Sequence, residues 1–150
     1  MAFDGFSLAK IWQRWFGRRS GNRETPLLRL TIAPRSLGPA WHPAKGPGGQ
    51  PLLQVVIELE ARNLTDRDLR IARAELRDHR AEQASFTVGP LDHDHPQPGG
   101  PVPARGAARI TLMFFLKPQP YRAGEAFADM VTLIDEDGRR HRLKVVMRGR

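Results

Sequence analysis

Apolar and polar positions alternate with a period of two through residues 26–149, in short runs bounded by Pro, Gly and Asp. That period puts successive side chains on opposite faces of an extended chain, so it predicts half-buried strands. Leu28, Leu30 and Ile32 alternate with Arg29 and Thr31. In PLLQVVIELEAR, Leu53, Val55, Ile57, Leu59 and Ala61 share one face, while Gln54, Glu58 and Glu60 take the other. Ile110, Leu112, Phe114 and Leu116 repeat the pattern as an inward set. LRIARAELR (69–77) fits a strand or a helix, because Ala, Leu, Arg and Glu all favour helices. ASFTV (84–88) predicts one short edge strand. Two Pro/Gly-rich stretches, 36–51 and 89–106, interrupt the strands and read as long loops, either binding or mobile.

The run FADMVTLIDEDGRRHRLKVVMR predicts a hairpin around Asp137-Gly138, and its pattern selects the register. A two-residue loop would set Leu133 opposite Arg142 and Val131 opposite Lys144, mixing core and solvent positions. A three-residue loop, Glu136-Asp137-Gly138, pairs Leu133 with His141, Val131 with Leu143 and Phe127 with Met147. It leaves Thr132 facing Arg142 and Ile134 facing Arg140. The second register keeps the apolar set together, as a half-buried strand requires. Gly138 then closes the turn in a left-handed conformation that glycine adopts without strain.

About seven short strands linked by hairpins and turns predict an all-β antiparallel sandwich over residues 26–150, preceded by a separate segment, residues 1–25. NLTDRDLRI after a long strand, PVPARGAARITLMFFL, and the closing VTLIDEDGRRHRLKVVMR resemble immunoglobulin-like or fibronectin-III-like domains of bacterial proteins. There a proline-rich approach precedes a long inner strand, and a final hairpin closes the sheet. The resemblance covers roughly residues 26–149. It implies a binding or scaffolding module.

Residues 1–25 carry a different period. At about 100° per residue, Leu8, Ala9, Ile11, Trp12, Trp15 and Phe16 fall on one helical arc. Lys10, Gln13, Arg14, Gly17 and Arg18 occupy the opposite side. Ser7 suits the N-cap, Phe6 can staple onto Ile11, and Gly17 followed by Arg18 and Arg19 suits the C-terminus. A helix this short is marginal alone in water, so its apolar face needs a partner. Three burials stay open. It can dock on its own domain, lie in the headgroup region of an anionic membrane, or enter a groove on a protein partner.

Composition narrows the chemistry. The 150 residues hold 40% apolar and 27% charged side chains, as in a globular domain. No cysteine is present, which excludes disulfides, thiolate metal sites and cysteine nucleophiles. No apolar run reaches the roughly 20 residues that span a bilayer. The apolar stretch of the N-terminus is broken by Lys10, Gln13 and Arg14 and resembles no signal peptide. The expected place is the cytoplasm, peripheral to the inner face of the membrane if the helix seats there. None of the four serines sits in a G-x-S-x-G elbow, and GPGG (46–49) lacks the Lys-Ser/Thr of a phosphate loop. A non-enzyme without a cofactor is therefore expected.

Three further groups of residues carry candidate chemistry. In Leu91-Asp92-His93-Asp94-His95-Pro96, His93 and His95 could share a metal with Asp92 or Asp94, although no third convergent ligand is evident. His141 falls on the inner face and reads as a satisfied sheet histidine. The net charge of +8 raises a polyanion partner such as nucleic acid, with Arg140, Arg142 and Lys144 alternating outward on the last strand. Of the 24 basic residues 20 are arginine, a skew that GC-rich coding also produces. The expected function is a non-catalytic interaction or adaptor module, held by residues 7–19 to a membrane or partner. The alternative is a nucleic-acid-binding domain.

Overall fold

The computed structural model describes residues 26–91 and 100–150. Eight strands follow in chain order: β1 (Leu28–Ile32), β2 (Ala40–Lys45), β3 (Pro51–Asn63), β4 (Ile71–Leu76), β5 (Ala81–Gly89), β6 (Ala107–Leu116), β7 (Ala126–Asp135) and β8 (Arg140–Gly149). The described residues form an all-β domain without a helix. Hydrogen bonds join the strands into one sheet of order β4-β7-β8-β2-β3-β6-β5, with β1 beside β2 on the same edge of β3. All pairs are antiparallel except β2 and β8, which meet in parallel only at Ala40–Arg148 and Trp41–Gly149. The terminal strands β4 and β5 lie against each other, so the sheet curls nearly closed around its core.

The core follows from the alternation. Leu53, Val55, Ile57, Leu59 and Ala61 of β3 pair with Leu116, Phe114, Leu112, Ile110 and Ala108 of β6, and all ten are buried. The closing hairpin adopts the expected three-residue loop. Phe127 pairs with Met147, Val131 with Leu143, Thr132 with Arg142, Leu133 with His141 and Ile134 with Arg140. Gly138 has φ of 82°, in the left-handed region the turn demands.

Several expectations change. The described residues form eight strands rather than about seven, and the hydrogen-bonded sheet is continuous across β2 and β8. The ambiguous segment 69–77 contains strand β4, because its Ala74 and Leu76 complete the inner face against Leu133 and Val131 of β7. The edge strand expected over 84–88 begins earlier, at Ala81. The stretch 36–51 is not one loop: it holds β2, and GPGG is the tight turn between β2 and β3. Trp41 of β2 is 2% exposed, and its Nε1 donates to the Glu125 carbonyl at 2.9 Å. A Cβ on Gly149 would stand 2.6 Å from that indole, so the end of β8 passes the ring only as glycine. Ile32, expected inward, is 37% exposed where β1 ends.

The second Pro/Gly-rich stretch is anchored at its later half. Val102 is fully buried and pairs with Leu69. Buried Asn63 donates Nδ2–H to the carbonyls of Arg67 (2.7 Å) and Val102 (3.0 Å), while its Oδ1 accepts from the Thr65 amide. One side chain thus holds the end of β3 to two loops.

Candidate functional site

The outer face of β4, β7 and β8 is assembled by strand parity. Along β8, His141, Val145 and Met147 point inward and are buried, so Arg140, Arg142, Lys144, Val146 and Arg148 point outward and are exposed. The register aligns these with neighbours in three rungs. Arg73 of β4 and Arg140 flank Ile134; Glu75 and Arg142 flank Thr132. In the third rung the Arg77 amide donates to the Met130 carbonyl, and Met130 pairs with Lys144.

Six cations therefore meet a single glutamate on this face. Glu75 lies 3.3 Å from Arg73 Nε and 3.8 Å from Arg140 Nη1, while Arg77 pairs with the adjacent Asp78 at 3.2 Å. Such solvated pairs are worth little individually and leave the face strongly positive. Ile134 and Thr132 are only 5% and 6% exposed although they point outward. Long charged side chains flank both, Arg73 and Arg140 beside Ile134 and Glu75 and Arg142 beside Thr132, and such stems can cover apolar surface while their heads stay in water. The face presents charge over an apolar spine, and it carries no aromatic side chain for base stacking.

The inner face of β7 holds two carboxylate–histidine pairs. Asp135 Oδ2 lies 2.9 Å from His141 Nε2, and its Oδ1 accepts the amides of Asp137 (2.9 Å) and Arg139 (3.0 Å). Burial pushes the Asp135 carboxyl up, but the hydrogen bond and charge of His141, together with those amides, outweigh it and hold the group below the usual carboxylate range. Asp129 Oδ2 lies 2.7 Å from His79 Nδ1, and its Oδ1 accepts the amides of Asp78 (2.9 Å) and Met130 (2.6 Å). His79 Nε2 then meets the Tyr121 hydroxyl at 3.1 Å. The Tyr121 ring stacks on Phe127 with centroids 4.7 Å apart and an interplanar angle of 9°. Both oxygens of each carboxylate are occupied by protein groups, and the far nitrogen of His79 is occupied as well. They read as internal fasteners rather than chemistry aimed at solvent.

Arg140, Arg142 and Lys144 stand on the outer face as their alternation predicted, and the fold adds Arg73, Arg77 and Arg148 to them. The first two were missed because 69–77 had no unique period, and Arg148 because it lies beyond the outward run of the hairpin. Leu8, Lys10, Ile11, Trp12, Arg14, Trp15, Phe16, Arg18 and Arg19 lie outside the described residues, as do Asp92, His93, Asp94 and His95. Among the described residues, no group of three or more His, Asp or Glu is placed to hold a metal ion.

No family model and no curated protein matches this sequence. Solved structures match this chain, two of them at low sequence identity. A copper-bound PCuAC domain from PmoF2 is 13% identical, with 85% of this chain and 97% of that one covered and a TM-score of 0.51. The N-terminal domain of PorA is 10% identical, covering 81% and 96%, with a TM-score of 0.37. The likeness to the first is one of fold: a small all-β domain.

Proposed function

We propose that this chain is a non-catalytic interaction module that docks on an anionic membrane surface, tethered by an amphipathic helix over residues 7–19. The observation that carries this reading is the outer face of β4, β7 and β8, where Arg73, Arg77, Arg140, Arg142, Lys144 and Arg148 outnumber the acids they meet, Glu75 and, at its edge, Asp78. Basic residues near an anionic leaflet contribute about 1 kcal/mol each, so such a face adds materially to one short amphipathic helix. In the same reading the frame is an immunoglobulin-like sandwich. β4-β7-β8 form one layer and β1, β2, β3, β6 and β5 the other, with the short β2–β8 contact as the joint between them. The copper in the name of the PCuAC structure is not carried over, since the likeness is of fold and the described residues offer no ligand group.

The test is co-sedimentation of the full chain with phosphatidylcholine vesicles, with and without phosphatidylglycerol. Binding should require the anionic lipid and fall sharply in Trp12→Ala/Trp15→Ala. It should also fall about ten-fold or more in Arg142→Glu/Lys144→Glu, given the contribution of each charge. Absence of vesicle binding by the unaltered chain refutes the reading. The second reading, nucleic acid on Arg140, Arg142 and Lys144, draws on the same charges. Oligonucleotide binding with a steep salt dependence that survives deletion of residues 1–20 would favour it.

A further inference from the structure

The described chain has four large apolar side chains that are conspicuously exposed, and three belong to segments that meet at one corner. Leu37, at 85% exposure, lies in the connection between β1 and β2; Ile32 ends β1; Val146, at 48%, lies on the outer face of β8. β1 and β8 lie against each other. The connection is then tied to β8 twice: the Arg148 amide donates to the Pro39 carbonyl at 3.1 Å, and Arg150 Nη2 donates to the Leu37 carbonyl.

The Leu37 loop is built rather than slack. Ser36 donates its amide to the Ala33 carbonyl at 3.3 Å, and its hydroxyl oxygen accepts from the Gly38 amide at 3.3 Å. Arg35 sits at φ of 65°, a left-handed conformation that a non-glycine residue holds at a cost. An ordered turn that spends backbone strain and still leaves a leucine in water invites a partner for that leucine.

Charge identifies the partner. Arg35, Lys144, Arg148 and Arg150 ring the corner and are exposed. Three carboxylates belong to segments touching it. Glu58 is engaged by Arg109, Glu60 opposite Thr31 lies 3.5 Å from Arg62, and Glu125 contacts the corner through its carbonyl, which accepts from Gly149. Apolar side chains that project through a ring of cations match the boundary of an anionic bilayer, with acyl chains beneath phosphate.

We propose that this corner, with Leu37 at its tip, is a second membrane contact that inserts at the lipid headgroup boundary. It rests on the reading of the chain as an anionic-membrane module, and it adds orientation: the end of β8 faces the bilayer. Covalent reach permits both contacts on one surface. Ile32 lies thirteen positions after Arg19, and an extended chain of that length spans at most about 45 Å.

The absence of cysteine makes the test clean. Leu37→Cys and, as a control on the exposed part of β5, Ser85→Cys are each labelled in the full chain with an environment-sensitive fluorophore. They are then mixed with phosphatidylcholine vesicles with or without phosphatidylglycerol. Emission at position 37 should shift to the blue with anionic vesicles only, while position 85 stays unchanged. Separately, Leu37→Asp should weaken vesicle binding about ten-fold, on the scale of one leucine returned to water. Unshifted emission at 37, with co-sedimentation that still depends on Trp12 and Trp15, overturns the corner contact and spares the module reading. Shifts at both positions overturn it as well, since the surface would then be unselective. No co-sedimentation at all removes both.

Discussion

At one end of β7, Asp135 takes its histidine from the same hairpin; at the other, Asp129 takes His79 from a corner fifty residues away in sequence. Each carboxylate spends one oxygen on the ring and the other on two backbone amides. The difference lies in what is being held. Asp135 organises five residues of a turn whose amides regain water when the turn opens. Asp129 fixes the β4–β5 corner onto β7 and engages Tyr121 through His79, so it fastens segments that nothing local would bring together. Closing a long loop costs more chain entropy than closing a short one, and the long-range fastener has to offset it.

The largest expected effect is therefore at Asp129. Asp129→Ala strands the partly buried His79 ring and the amides of Asp78 and Met130, and should cost about 3 kcal/mol in urea unfolding, the lower end of the range for a buried pair broken from one side. Asp135→Ala should cost about 2 kcal/mol: it strands the buried His141, but its amide donors, Asp137 and Arg139, lie at a solvated rim. The reverse order would break the comparison.

Acid sharpens it next. The Asp135 carboxyl is held below its ordinary range in the folded state, so it binds fewer protons there than in the unfolded chain. The stability it contributes is fully present above about pH 4, where the unfolded carboxyl is ionised, and is lost as pH falls through the lower folded value. Asp135→Asn should flatten the stability profile in that window and leave it unaltered near neutrality in shape. A profile that keeps its acid slope in the variant contradicts the assignment.

The smallest effect should come from Tyr121→Phe. It removes the hydroxyl on His79 Nε2 and keeps the ring stacked on Phe127, so thermal unfolding should report a loss of about 1 kcal/mol.

Hairpin register, the inward faces of β3 and β6 and the outward trio on β8 were all legible in the sequence, because each is written within one run of alternating residues. β2 was not. Pro39, Pro43 and the glycines of GPGG gave it the punctuation of a loop, and the inward Trp41 was the one signal of a buried strand. Arg73 and Arg77 were hidden for a different reason: good helix formers fill 69–77, and only the contact of Ala74 and Leu76 with β7 decides for a strand. The Asp129–His79 pair had no local trace, since neither residue lies near the other in the chain.

The parallel contact of β2 with β8 has a consequence for the order in which the molecule is made. Ala40 and Trp41 meet Arg148 and Gly149, so a strand emerging early in synthesis waits for β8 before the first part of its free edge is covered. Until then Trp41 lacks the glycine edge that packs on its ring, and the unpaired backbone of β2 is open to any other extended chain. The β3–β6 pair can form beforehand, which leaves β2 as the open margin of a partly assembled sheet. Crowded expression would reveal it as aggregation during translation, not as instability of the finished fold.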